Sequence, residues 1–354
     1  MGAAYGTAVI VAWAIVAGCA LLLSLAFTGA ALAYARRCGL LDQPGKRRSH
    51  TQPTPRGGGI GIVAAILLAG VAAWWLLDRS PPWTRPAAVA AAVLAVALIG
   101  WRDDHKPLSV VPRLLVHVGA ALLVGLAALA PWAARDPMLW WVLLPLVPVL
   151  IGFINAHNFM DGIDGILGLQ GLFVLAGYGL LAAWTGDIGI AALAFAAAAG
   201  CLGFLVFNRP PAKIFMGDVG SGALGLTIGA VAALVVQRNP AMIWACAILP
   251  SAFLVDSGLT LARRMFARQR WYAPHRQHLY QWLVRVNWSH AHTDVAYVIW
   301  NLAIVAPLAW LAARWPARGL PCFIVAYVAA IVAWHVGKRA CLASARRRSI
   351  DEAA

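Results

Sequence analysis

The sequence predicts an all-α fold, a polytopic integral membrane bundle of about 11 transmembrane helices (10–11 by length). Three observations predict it. Of the 354 residues, 62% are hydrophobic and 12% charged, against about 45–50% apolar and about 25% charged in soluble domains. The chain divides into 11 runs free of Asp, Glu, Lys and Arg, and a membrane-crossing helix needs about 20 mostly apolar residues. The runs lack the alternation of a transmembrane barrel, and an open sheet cannot cross lipid with unpaired edges. A soluble enzyme, a disordered chain and a disulfide scaffold are excluded on the same grounds.

The runs are 1–35, 57–77, 86–101, 114–134, 137–160, 165–186, 188–208, 219–237, 239–255, 295–313 and 319–337. The first has no acid or base before Arg36 and reads as a span rather than a cleaved signal peptide. The third and ninth are short, which leaves the number of spans at 10 or 11. The six Cys show no CxxC pattern and read as buried reduced thiols.

Net charge is +15, and the 28 Lys and Arg divide 22 to 6 between alternate sides. Cytoplasmic loops accumulate Lys and Arg. That rule places the loops 36–56, 102–113, 155–164, 209–221 and 263–294, and the tail after 337, inside. The N-terminus is then external and the C-terminus cytoplasmic. Residues 1–354 read as one membrane-embedded domain whose chemistry lies at its cytoplasmic face. Asp78, Asp136 and Asp187 fall on the outer side and read as solvated loop charges.

The inner acids carry the chemistry. Asp103 and Asp104 follow the third run; neighbours on a helix point about 100° apart, which suits two different roles. Asn155, Asn158, Asp161 and Asp164 recur every third residue at the end of a 24-residue uncharged run, and polar groups in such places are functional by default. Asp218 stands among Gly217, Gly220 and Gly222 at an expected helix start, with Ser221 beside it. Asp256, inside an apolar run, either pairs with Arg263 or Arg264 or lines the site. His117 reads as a packing residue.

Cations face these acids. Lys46, Arg47, Arg48, His50 and Arg56 sit in the first loop, Arg56 beside three glycines as a placed ligand would be. His275 and His278 flank Arg276 in the largest loop, and no third ligand completes a zinc site, so phosphate contact is favoured. Carboxylates repel phosphates unless a divalent cation lies between them, and Mg²⁺ takes one or two carboxylates plus substrate oxygens. The residues alone reach Mg²⁺-assisted phosphoryl transfer on a substrate held at the bilayer surface.

Five segments, LDQPGKRRSHTQPTPRGGGIG, RDDHKPL, NAHNFMDGIDGI, FMGDVGSGALG and PHRQHLYQ, occur in this order. Together they resemble the bacterial polyprenyl-phosphate N-acetylhexosamine-1-phosphate transferases, the WecA/MraY family or glycosyltransferase family 4. The resemblance covers roughly residues 35–290. It implies that a UDP-N-acetylhexosamine donates sugar-1-phosphate to undecaprenyl phosphate, giving UMP and a lipid diphosphosugar. It implies Mg²⁺, with Mn²⁺ as a substitute. It places the enzyme in the bacterial inner membrane, with membrane lipids as partners, no nucleic acid, and a homodimer left open.

Carried over residue by residue, the family pattern makes Asp103, Asp104 and Asp161 catalytic and Asp218 and Asn158 metal-binding. It makes Asp164, Arg276 and His278 substrate-binding, and the residue reading adds Asn155, Arg56, Lys46, His275 and Tyr280 to that set. The last loop departs from the usual His-x-His-His, because Tyr280 replaces the second His. The form is instead similar to the WbpL-like O-antigen initiating branch, with Tyr280 reading the sugar. The alternatives are an N-acetylglucosamine-1-phosphate transferase for another envelope polymer and, from another class, a secondary transporter.

Overall fold

A computed structural model describes residues 6–43, 52–78, 83–269 and 275–351, with side chains to 347. It is a helical bundle. Helix α1 spans Thr7–Cys38, α2 Ile60–Leu77, α3 Thr84–His105, α4 Val110–Ala133, α5 Pro137–Met160, α6 Ile166–Trp184, α7 Ile188–Asn208 and α8 Asp218–Arg238. Two halves of one broken span follow, α9 Pro240–Ile248 and α10 Ser251–Phe266, bent by 67°. The short α11, Leu279–Arg285, precedes α12 His290–Arg314 and α13 Pro316–Arg347. Among the described residues, each of the 11 uncharged runs has its body on one of these helices or on the broken pair, so the chain is a multi-pass membrane protein.

Boundaries differ from the sequence expectation where polar residues continue a helix. The third run, read as short, belongs to a 22-residue helix that includes Asp103 and Asp104. Residues 155–160, expected in a loop, complete α5. The ninth run extends to Phe266, taking Arg263 and Arg264 out of the expected loop. It breaks at Pro250, which has no N–H to continue the helix. Leu41–Asp42 pairs antiparallel with Thr54–Pro55, a two-stranded ladder that tethers the first loop.

Helix α8 is the axis of the bundle, with 83% of its most apolar window buried. Its glycines make this possible. A Cβ on Gly225 would stand 2.6 Å from the Phe153 carbonyl oxygen, and one on Gly229 would stand 2.8 Å from Leu150. Small residues four apart let helices approach closely where lipid gives no hydrophobic drive between them. Of the six Cys, four are buried as expected, whereas Cys19 and Cys38 are exposed on α1.

At the end of the bundle away from Asp218, Asp78 and Asp187 are not solvated charges. Arg238 at the end of α8 holds both, at 2.6 Å and 2.8 Å. Arg85 sits nearby, donating to the Ala127 carbonyl and to Gln237. Asp136 is exposed and accepts the Met138 amide, so it caps the start of α5.

Candidate active site

The site is built where α3 crosses the start of α8. Gly100 has no Cβ to clash with the Asp218 carbonyl, so α3 passes directly over it. One turn later Asp104 reaches the first turn of α8, where its carboxylate accepts the amides of Asp218 and Val219 at 3.1 Å each. These are two of the orphan donors that begin any helix. Gly217, with φ of 74°, makes the turn into it, and a side chain there would press on the Asp104 carboxylate. Arg56 donates to the Asp104 carbonyl oxygen and stands 4.0 Å from its carboxylate.

Asp103, one residue earlier, points elsewhere. Its carboxylate accepts from Arg113 at 2.9 Å and from the Leu108 amide. Arg113 also lies 3.5 Å from the Asp218 carboxylate. From the far side, the Asn158 side-chain amide donates to Asp218 at 2.8 Å and to Ser221 at 2.9 Å. Side chains from α4 and α5 thus meet on the half-buried carboxylate of Asp218, while α3 holds its backbone amide. Asp161 follows Asn158 by three residues at the end of α5. Its carboxyl is pushed up to about 8, by burial first and then by the negative charges of Asp218, Asp104 and Asp164.

A groove of about 610 Å³ leads away from this point between α3, α4, α5 and α10. Its walls are apolar, including Val96, Ile99, Leu114, Val149 and Leu261. Asp218, Arg113 and Asn158 line it as well, with Asn155 and His117 as further polar members. The shape offers an apolar channel with a charged mouth.

The last loop is organised differently from the sequence expectation. Asp256 neither pairs with Arg263 or Arg264 nor lines the groove. Its carboxylate accepts the Leu279 amide at 2.8 Å, Trp334 at 2.9 Å and the Tyr297 hydroxyl at 3.0 Å. It fixes the start of α11 and is not a midplane charge available for transport. His278 is drawn inward to it at 3.7 Å and is 2% exposed. Tyr280 is fully buried and donates to the Phe159 carbonyl oxygen at 3.0 Å, so it cannot touch a sugar from there. Its hydroxyl also occupies the space a side chain at Gly162 would need.

Asp164 does not reach the groove either. It accepts the Ala212 amide at 3.0 Å and pairs with His290 at 3.2 Å, tying two loops together. His275 and Arg276 line a separate cavity. The Asp104 carboxylate is occupied by backbone amides, which makes it a positioning residue rather than a reacting group. Lys46, with Arg47, Arg48 and His50, lies outside the described residues. The structure therefore brings Asp218, Asn158 and Asn155 to one groove, Asp103 to its edge through Arg113, and Asp161 to its charged neighbourhood. Arg56 supports them through Asp104.

Arg113 is the functional residue that the sequence reading missed. Its signal was weak: it is the first charge after RDDHKPL and sits one turn into α4. His290 and Asn208, which holds the Gly165 amide at 2.9 Å, were also missed.

The donor set fits a hard divalent cation. Among the described residues no group of three His, Cys, Asp or Glu converges as a complete metal cage. Mg²⁺ takes one or two carboxylates and completes its shell with oxygens of substrate phosphate and water, and Asp218 and Asn158 carry oxygens of the kind it takes. The Asp161 carboxyl, raised first by burial and then by the charges of Asp218, Asp104 and Asp164, stands beside negative charge that such an ion would relieve.

Residues 86–236 match the model of a protein family, described as glycosyl transferase family 4. The chain is 29% identical to a "probable undecaprenyl-phosphate N-acetylglucosaminyl 1-phosphate transferase" of Bacillus subtilis, over 72% of each chain. It is 30% identical to a decaprenyl-phosphate N-acetylglucosaminephosphotransferase of Mycolicibacterium smegmatis, over 77% of this chain and 75% of that one. It is 36% identical to a phospho-N-acetylmuramoyl-pentapeptide-transferase of Synechococcus elongatus, over 59% of this chain and 60% of that protein's length.

Proposed function

The chain belongs to glycosyl transferase family 4, and from that premise we propose that it transfers an N-acetylated amino-sugar-1-phosphate from a UDP-sugar to undecaprenyl phosphate. The reaction would take place at the cytoplasmic face of a bacterial inner membrane and would initiate O-antigen or another surface polysaccharide. The observation that carries this reading is the apolar groove of about 610 Å³ with Asp218, Arg113 and Asn158 among its lining. It suits a substrate that is a long hydrocarbon at one end and a phosphate at the other.

A phosphate oxygen of undecaprenyl phosphate forms a bond to the sugar-bearing phosphorus of the donor. The bond from that phosphorus to the UMP oxygen breaks, and UMP leaves with the electron pair. Arg113 sits where it can hold a phosphate oxygen, since guanidinium groups match phosphate geometry. Asn158 and Asp104 hold Asp218 in place, one through its side chain and one through its amide. Asp218 and Asn158 are the proposed ligands of Mg²⁺, with Mn²⁺ as a substitute. A bound Mg²⁺ would neutralise charge on the reacting phosphates.

The HRQHLYQ form of residues 275–281 supports the O-antigen branch. A second reading, transfer of N-acetylglucosamine-1-phosphate for another polymer, is favoured by the names of the Bacillus and Mycolicibacterium relatives. One experiment tests both. Membranes containing the protein are incubated with undecaprenyl phosphate and separate UDP-N-acetyl-glucosamine, -fucosamine and -quinovosamine, with and without Mg²⁺. UMP release and a lipid diphosphosugar are expected with at least one donor. No product from any of them, with folded protein in the membrane, would overturn the reading.

A further inference from the structure

Helix α4 carries two ionisable side chains in its 24 residues, Arg113 and His117. They are four apart, so they share one face of the helix. Val110, Arg113, Leu114 and His117 make up that face, and all four line the groove that holds Asp218. The His117 ring is half-buried and stands one turn beyond Arg113, about 6 Å further along the helix and away from the charged mouth. Among the described residues its imidazole meets no hydrogen-bond partner. The polar groups on the other walls are turned to their own helices. The Asn155 amide donates to the Ile151 carbonyl at 2.9 Å, and the Ser257 hydroxyl donates to the Phe253 carbonyl at 2.7 Å.

A polar ring at membrane depth is costly when nothing bonds to it, and ionisable groups inside a span mark a ligand's path by default. Packing alone, the role expected from sequence, leaves that cost in place. A ligand that is apolar along most of its length and anionic at its end removes it, since phosphate oxygens accept from an imidazole N–H as they do from a guanidinium. Resting on the transfer reaction above, we propose that His117 is a second donor to the phosphate of the polyprenyl acceptor. Arg113 holds one phosphate oxygen at the mouth, and the His117 N–H meets another from the apolar side. The pair fixes how deep the phosphate sits beside Asp218 and selects a phosphorylated polyprenyl chain over the free alcohol.

Native mass spectrometry of the whole protein in detergent, with Mg²⁺ and no nucleotide, tests this by titration with undecaprenyl phosphate and, separately, undecaprenol. The wild type should bind the phosphate more tightly than the alcohol. H117F keeps a ring and loses the N–H. It should cut that preference about 10-fold or more, the worth of one hydrogen bond to a charged group, with undecaprenol bound as before. H117Q keeps an N–H donor and should retain the preference. An unchanged preference in H117F overturns the proposal. So does an equal loss for both lipids, which would make the ring a packing residue, or a loss in H117Q as large as in H117F. The titration needs no turnover, so a wild type that prefers the phosphate yet releases no UMP in the transfer assay would overturn the reaction and not the His117 contact.

Discussion

The carboxylate of Asp104 holds the backbone amide of Asp218 at 3.1 Å, so two acids 114 residues apart meet through a helix start and not through their charges. Asp103 beside it faces Arg113, which lines the groove. Asp104→Asn should therefore lower stability by about 1 kcal/mol, the cost of weakening a helix cap. Asp103→Asn should keep the thermal midpoint and lose turnover. Measuring both quantities on both variants decides it; exchanged phenotypes would reverse the assignment.

Asp218→Asn should abolish turnover at every Mg²⁺ concentration while the protein still inserts and melts normally. Asn158→Ala should do less. It removes the group that orients Asp218, and loss of such an orienting partner costs about 10- to 100-fold in metal affinity or activity. A raised Mg²⁺ requirement for Asn158→Ala is the expected readout, and an unchanged Mg²⁺ titration would contradict it.

The Asp161 carboxyl titrates at about 8 in the fold, against about 4 in an unfolded chain. Between those values the folded protein keeps a proton that the unfolded chain has lost. Stability contributed by this group is thus full below about 4 and is lost as pH rises to about 8. Melting in excess chelator from pH 5 to 9 should show that decline, and Asp161→Asn should make it shallower. An identical slope in the variant would mean that Asp161 is not the titrating group.

Tyr280 is buried against Phe159 and the start of α11. Tyr280→Phe should cost about 1 kcal/mol for the lost hydrogen bond and lower the rate equally for every donor sugar. Competition between two UDP-sugars would show an unchanged ratio. A shift in donor preference would restore the sugar-reading role expected from sequence.

The division of basic residues, 22 against 6, predicts the sidedness. In a background lacking exposed Cys38, Ser109→Cys should react with an impermeant thiol reagent only after the membrane is opened. Arg135→Cys should react in intact spheroplasts. Both positions are exposed, whereas Cys341, attractive from sequence, is 3% exposed and a poor probe. Labelling of Ser109→Cys from outside would invert the topology.

The sequence by itself determined the membrane class, the helices and most of the residues around Asp218. Those features follow from local quantities: apolar runs of bilayer length, and polar groups too costly to place near lipid without a use. Asn158 and Asp218 could be named because their motifs are short and rich in Gly and acid. What Asp104, Asp164, His278 and Tyr280 do was decided only by the tertiary structure. A carboxylate or a phenol near a reaction site has the same identity whether it faces substrate or closes a backbone amide. The choice depends on which element packs against it: α8 against Asp104, Ala212 and His290 against Asp164, Asp256 against His278 and the end of α5 against Tyr280. Arg113 entered the site for the same reason, since its partner Asp218 is more than 100 residues away in the chain and adjacent only after α3, α4 and α8 have packed.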